Sequence, residues 1–499
     1  MYWTLYAIFL LLALYFVYRH RFFRLPGFTQ VTPVLFFLLK LVAGLAIWYV
    51  YTFYYPERQY ADVWKYYDDS EIMHAALKDH PGDYFSMISG IGIDDHIDSV
   101  YFRKMNHWHQ KFENNLFNDS HTIIRFNAIA RLFSAGNYHT HSLFMCFLAF
   151  IGLCALYRWI YPVLFQWKRV VAFILFISPS LLFWSSGVLK EGILFFSLGL
   201  LIYHTWNYSD DRKLYRLWII LLAIFLMAIT KLYMIALVVP PLLLGVWIKK
   251  SPGFARLKVA AVVLAMLGGS LLVHYTFPLF SPYRIIAMKQ NDFLNLARGG
   301  TYIFNETVVC YLRPDQRKNL VAVDSSTFRI ANGTDYYYWK IADNFSDTVF
   351  VTNSNDTSRY SILSETPVAG SLLDVQPVAP DPGSVLAGIP AAWARTTVRP
   401  WPWEFKPLMV VPSIAENFLM FFLLILMLLY YKKTSSKPVL WFCLAYAFLT
   451  LAVIGLTTPV LGAIVRYRIT AIPFLLFAIL LCTDKEKLLK RVPFLGKLL

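Results

Sequence analysis

The stretch "SPSLLFWSSGVLKEGILFF", residues 178–196, sets Lys190 and Glu191 between two runs that are otherwise almost wholly apolar. Hydrocarbon excludes isolated charge. The runs therefore read as two arms of a tight helical hairpin, about 170–187 and 188–206, with the ion pair at the turn.

That reading extends to the whole chain. Of 499 residues, 58% are apolar and only 15% charged, against roughly a quarter charged in soluble proteins. Apolar runs of about 20 residues, enough to cross a bilayer, recur at about 2–18, 32–54, 140–158, 170–187, 188–206, 216–232, 233–248, 258–277, 411–431, 438–456 and 462–482. Eleven spans predict an all-α polytopic membrane protein. The first lacks a basic leader and a small-residue cleavage site, so a retained helix is expected.

Charge sets the expected orientation. "YRHRFFR" after the first span carries Arg19, Arg21 and Arg24. Every second connection repeats the bias, through Arg158, Lys168 and Arg169, then Arg212, Lys213 and Arg216, then Lys249, Lys250, Arg256 and Lys258, then Lys432, Lys433 and Lys437, and finally the tail "KEKLLKRVPFLGKLL". All six fall in the cytoplasm if the N-terminus is outside and the C-terminus inside, as positive-inside retention requires. The net charge of +16 thus needs no nucleic acid partner.

The expected organisation follows. Residues 1–55 hold two membrane helices, 56–139 an acidic amphipathic extracytoplasmic loop, and 140–277 a six-helix core. Residues 278–410 form a small β-containing extracytoplasmic lobe, because "YYYWKIADNFSDTVFVTNSNDTSRYSIL" alternates aromatic and β-branched residues with polar ones. "VQPVAPDPGSVLAGIP" closes the lobe as an irregular Pro-rich connection. Residues 411–482 hold three more spans, and 483–499 a basic amphipathic tail at the cytoplasmic leaflet.

With this topology several charged groups gather at one membrane level. "ERQYADVWKYYDDSE" supplies Asp62, Asp68, Asp69 and Glu71. Lys190 and Glu191 stand at the hairpin turn, and Lys231 at the next outer turn. "RPWPWEF" brings Arg399, Trp401, Trp403 and Glu404, with Glu416 a turn inside the following span. "VRYRITAIP" brings Arg466 and Arg468. Each also has a plain reading: a solvated acidic loop, a snorkelling Lys231, interfacial tryptophans. Lys40, His204 and His274 read as packing or snorkelling residues. Two arginines on one span are the costliest to explain that way.

Carboxylates facing cations at head-group level suit transfer from a lipid-linked phosphate. Arg presents a planar fork to phosphate oxygens, a carboxylate takes the proton of an attacking hydroxyl, and cations stabilise the departing phosphate.

At "ADVWKYYDDS", "SPSLLFWSSGVLKEG" and "RYRITAIP" the chain resembles the C-type multi-span glycosyltransferase superfamily, whose members use polyprenyl-phosphate sugars outside the cytoplasmic membrane. The resemblance covers most of the membrane part and leaves 278–398 unexplained. It implies Asp62 as base, with Asp68 or Asp69 in reserve. It implies Arg466 and Arg468 on the lipid phosphate, with Lys190 or Lys231 assisting. An N-terminus outside and acid after the second span look more like the exopolysaccharide and O-antigen polymerase branch, which joins lipid-linked repeat units.

The expected function is a membrane glycosyltransferase moving a sugar from a polyprenyl-(pyro)phosphate donor to a glycan, lipid or protein acceptor, at the outer face of a bacterial cytoplasmic membrane. The alternatives are a repeat-unit polymerase and a transporter or flippase for lipid-linked substrate. Substrate-binding residues are Lys190, Glu191, Lys231, Arg399, Glu416, Arg466 and Arg468. Asp62, Asp68 and Asp69 offer oxygen ligands suited to Mg²⁺ or Mn²⁺, yet no metal or other cofactor is expected. The five cysteines show neither metal spacing nor a disulfide framework.

Overall fold

The computed structural model describes residues 2–55, 58, 61–108, 120–340, 349–355, 357–366, 368–404 and 410–497. Helices α1 (Tyr2–Arg19) and α2 (Thr32–Tyr49, continued by a π-helical turn to Tyr54) precede a layer of shorter helices: α3 (Asp62–Asp79), α4 (Pro81–Ser89), α5 (Asp95–Val100) and α6 (Ser120–Ser134). The sequence punctuates this layer. Pro81 opens α4, Gly90 closes it at φ 77°, and the Asp94 carboxylate accepts from Ile97 N at the start of α5.

The bundle continues with α7 (Tyr138–Leu164), α8 (Lys168–Ala172), α9 (Pro179–Trp184), α10 (Lys190–Asp211), α11 (Leu214–Lys231), α12 (Tyr233–Lys250) and α13 (Ala255–Thr276). Among the described residues, eight helical runs are long and apolar enough to cross a membrane, or nine with one bent pair counted as a span. Eleven were expected, and the shortfall lies around the opening stretch. Residues 138–177 form one apolar run of 40 residues, which doubles back at a 3₁₀ turn over Phe165–Trp167. Phe176 consequently packs on Phe150 and Tyr157, at ring-centroid distances of 5.7 and 6.1 Å. The expected span at 170–187 is thus broken into α8, a π-helical turn at Phe173–Ile177, and α9. Helix α10, at 188–206 in the sequence reading, is real but carries Lys190, Glu191, Asp210 and Asp211 at its ends.

Helices α7 and α10 meet backbone to backbone. A Cβ on Gly152 would lie 2.0 Å from the Phe195 carbonyl oxygen, and one on Gly199 would lie 2.0 Å from that of Gly152. Close approach through small residues is how helices associate where lipid removes the hydrophobic drive. By contrast α1 and α13 turn Leu11, Leu12, Leu257, Leu264 and Leu272 outward. Apolar faces of that extent suit a hydrocarbon surround.

After α14 (Pro282–Arg298) come strands β1 (Gly300–Phe304), β2 (Val308–Leu312), β3 (Leu320–Ala322), β4 (Thr327–Ile330), β5 (Asp335–Lys340), β6 (Val349–Thr352) and β7 (Tyr360–Thr366). They make one antiparallel sheet in the order β3-β4-β7-β1-β2-β5-β6. Ile303, Cys310, Leu312, Ile330 and Tyr360 form its small core. The β-containing lobe is therefore present. Its Pro-rich connection is not irregular to the end, however: α15 (Pro382–Val398) starts inside it, with Pro382 in its first turn and the Asp381 carboxylate accepting from Ser384 N. Helix α15 packs on the bundle, where a Cβ on Gly455 would meet the Ala392 carbonyl oxygen at 2.2 Å.

Helices α16 (Val411–Leu429), α17 (Lys437–Thr457), α18 (Leu461–Arg468), α19 (Ile472–Leu481) and α20 (Lys485–Arg491) complete the chain. Helices α18 and α19 form the bent pair, at 56°. The basic connections share one end of the bundle. Arg158 donates to the carbonyls of Phe22 and Arg24, Lys249 pairs with Asp210, and Lys485 donates to the Gln166 carbonyl.

Candidate functional site

The break before Lys190 is held from beneath by α2. Lys40 does not snorkel: it is 1% exposed, and its Nζ donates to Ser185 Oγ at 2.7 Å and Ser186 Oγ at 3.2 Å. Ile47, seven residues on and so on the same face of α2, presses on Gly187, where a Cβ would sit 2.6 Å from Ile47 Cγ2. Only glycine passes there. The chain then enters α10 with Lys190 and Glu191 in its first turn.

Three helices deliver charge to that turn. The Arg466 guanidinium from α18 grips Glu191 with two bonds, Nε to Oε1 at 2.9 Å and Nη2 to Oε2 at 3.0 Å. Its remaining nitrogen, Nη1, reaches Asp62 Oδ2 of α3 at 2.9 Å. Lys231, at the end of α11, stands 3.5 Å from Glu191 Oε1 and over the Tyr467 ring. Lys190 donates to Ser120 Oγ at 3.2 Å and lies over the Tyr66 ring. Trp184 closes one side, its ring centroid 5.6 Å from the Arg466 guanidinium carbon.

The cluster grades from dry to wet. Glu191 is 1% exposed, whereas the Asp62 side chain is 35% exposed. Burial pushes the Asp62 carboxyl up, but Arg466, helped by Lys65 and His107, overrides it and holds the group below the usual carboxylate range. Among the described residues, three cations (Lys190, Lys231 and Arg466) surround two carboxylates (Asp62 and Glu191). An arginine fork with two lysines beside it is chemistry suited to the oxygens of an anion.

The other expected site residues stand elsewhere. Asp68 pairs with Arg58 at 2.6 Å. Asp69 is buried and accepts from the backbone N–H of Asn106 and of His107, both at 2.8 Å, so it anchors a loop. Arg399 pairs with Glu404 at 3.0 Å. Glu416 accepts from Ser178 Oγ at 2.7 Å and Ser180 N at 2.6 Å, capping α9.

Arg468 does not join Arg466. Two residues apart on a helix, the side chains diverge, and Arg468 is 2% exposed. It donates to the carbonyls of Thr396 and Arg399 and to Ser413 and Asn417. It ties the C-terminal end of α15 to α16. The clamp by Lys40 and the aromatic walls Tyr66, Trp184 and Tyr467 were not foreseen, although a lysine inside an apolar span was a visible signal.

Among the described residues no three of His, Cys, Asp and Glu gather in a metal-binding group. No family model, curated protein or solved structure matches the chain.

Proposed function

We propose that this chain is a membrane glycosyltransferase that takes a sugar from a polyprenyl-linked phosphate or diphosphate, with Arg466 as the phosphate-holding residue and Asp62 as the base. The observation that carries the reading is the three-way link of Asp62, Arg466 and Glu191, drawn from helices 404 residues apart in sequence, with Lys190 and Lys231 beside it.

In the resting state Asp62 is spent on Arg466 and is a weak base. A lipid phosphate competes for the same Nη1, the one guanidinium nitrogen that Glu191 does not hold. Once the phosphate has it, Asp62 loses its cation and its proton affinity rises. The acceptor hydroxyl then attacks the anomeric carbon, and its proton passes to Asp62. The anomeric C–O bond breaks with its electron pair leaving on the phosphate, where Arg466 and the nearby lysines balance the charge. Glu191 is the fixed counter-ion that keeps Arg466 aimed. The site then opens at the outer face of the cytoplasmic membrane, with the basic connections in the cytoplasm. A growing glycan as acceptor would make the same chemistry a repeat-unit polymerase.

The test is transfer by purified protein from a panel of polyprenyl-phosphate and polyprenyl-diphosphate sugars. Asp62→Asn and Arg466→Ala are each expected to lower turnover by about 10²-fold or more. Wild-type turnover in both would dismiss the assignment. A second reading, movement of lipid-linked substrate across the bilayer, draws support from the two broken segments at α9–α10 and α18–α19, since transporters place sites at discontinuous helices. Flux of labelled lipid without new glycosidic bonds would favour it.

A further inference from the structure

On the side of α3 away from Asp62 lies a second feature that the charge cluster does not use. A wide-mouthed cleft of about 750 Å³ opens between the start of α1, α3 and the α6–α7 turn. Small-molecule sites occupy roughly 300–1,000 Å³. The turn that forms its wall is conformationally costly: Ala135 (φ 49°) and Gly136 (φ 79°) are both left-handed, and the Gly136 carbonyl accepts from the Tyr67 hydroxyl.

The lining has two chemistries. Its exposed aromatic surface is Trp3, 65% exposed, with the buried Tyr67 and Tyr138 behind it. His139 stacks on one face of the Trp3 indole, with centroids 5.5 Å apart. The rest of the lining is polar but balanced. Arg131, buried over the Tyr67 ring, gives Nη2 to Glu71 at 3.4 Å, and the Glu71 side chain is 70% exposed. His74 carries a buried Nδ1 with no hydrogen-bond partner. Burial and then Arg131 keep its imidazole below the usual histidine range, against the pull of Glu71, so it is neutral at pH 7. Among the described lining residues, one carboxylate, one guanidinium and a neutral imidazole balance in charge.

We propose that this cleft binds a neutral sugar ring, its C–H face on the Trp3 indole and its hydroxyls shared between Glu71, Arg131 and His74. A phosphate gains nothing from a charge-balanced pocket, and an acyl chain would strand the ion pair. A polyhydroxyl ring suits both chemistries, since the indole face buries its apolar side and charged groups give its hydroxyls strong bonds. Glu71 follows Asp62 by nine residues of one helix, roughly 13 Å along its axis at 1.5 Å per residue. Nine residues at about 100° each put Glu71 on the face of α3 opposite Asp62, so on the glycosyl-transfer reading, and resting on it, the cleft is a glycan-docking site apart from the charge cluster. Sugar binding itself does not depend on that reading.

The test uses the full chain in lipid nanodiscs free of glycoside detergent, titrated with neutral maltohexaose, cellohexaose and chitohexaose by calorimetry and saturation-transfer NMR. At least one is expected to bind saturably. Trp3→Ala and Glu71→Gln should each weaken it about 10-fold, and Trp3→Phe should retain most of it. The inference is overturned by no saturable binding up to about 10 mM, by affinity indifferent to Trp3 and Glu71, or by displacement of the sugar by glycerol phosphate. Binding intact without transfer in wild type would sink only the proposed function; transfer without saccharide binding would sink only this inference.

Discussion

At the Arg466–Glu191 contact, a guanidinium spends two of its bonds on a carboxylate that is almost entirely out of water. Breaking a buried pair from one side costs about 3–5 kcal/mol, because the survivor keeps its charge and loses its partner. Arg466→Ala and Glu191→Gln should each lower thermal stability on that scale. The double variant Glu191→Gln/Arg466→Met should recover part of the stability while transfer stays absent. Recovery of transfer with stability would mean that the pair is structural only. Asp69 belongs to the same scale with the opposite sign. Burial raises its carboxyl to about 6, against the pull of its two backbone N–H donors. Between the unfolded value near 4 and 6, the folded chain holds a proton that the unfolded chain has lost, so this group's contribution to stability falls as pH rises through that window. In Asp69→Asn that part of the pH slope should vanish. A slope unchanged in melting curves from pH 4 to 7 would refute it.

The element scale is governed by how α2, α7 and α10 clasp. Gly152 and Gly199 let two backbones touch, and no side chain fits there without separating the helices. Gly199→Leu is expected to cost at least the 1–3 kcal/mol typical of overpacking and to reduce the folded yield in nanodiscs. Normal yield and melting would show that the helices part easily. Lys40 acts on the neighbouring break. In Lys40→Met, Ser185 and Ser186 still donate to the carbonyls of Leu181 and Leu182, so the turn loses its clamp without orphaned hydroxyls. Faster amide exchange at 185–189 with little change in melting temperature is the expected result. Unchanged exchange there would mean that Ile47 alone holds the turn.

For the molecule as a whole, one end of the bundle is basic and the other carries α3 to α6, the charge cluster and the cleft. By positive-inside retention the basic end is expected in the cytoplasm. The five native cysteines are buried or partly so, so labelling of added ones is readable. Ser89→Cys, near α4, is expected to react with an impermeant maleimide on intact cells, and Ser251→Cys, after α12, only after permeabilisation. The reverse pattern would invert the topology and place the cluster on the nucleotide-sugar side.

Much of this was legible in one dimension. Membrane class, a β-containing lobe after 278 and the candidates Asp62, Lys190, Glu191, Lys231 and Arg466 follow from the cost of charge in hydrocarbon and from the period of strands, both local properties of the chain. What the tertiary structure alone decided was which charges meet. Arg466 and Arg468 look equivalent in "RYR", yet one joins a cluster at the Asp62 end and the other props up α15, because a helix turns about 100° per residue and its partners come from distant segments. The same reason hid the Lys40 clamp and the start of α15, where a Pro-rich string reads as loop until Asp381 caps it and α17 offers a surface to bury against.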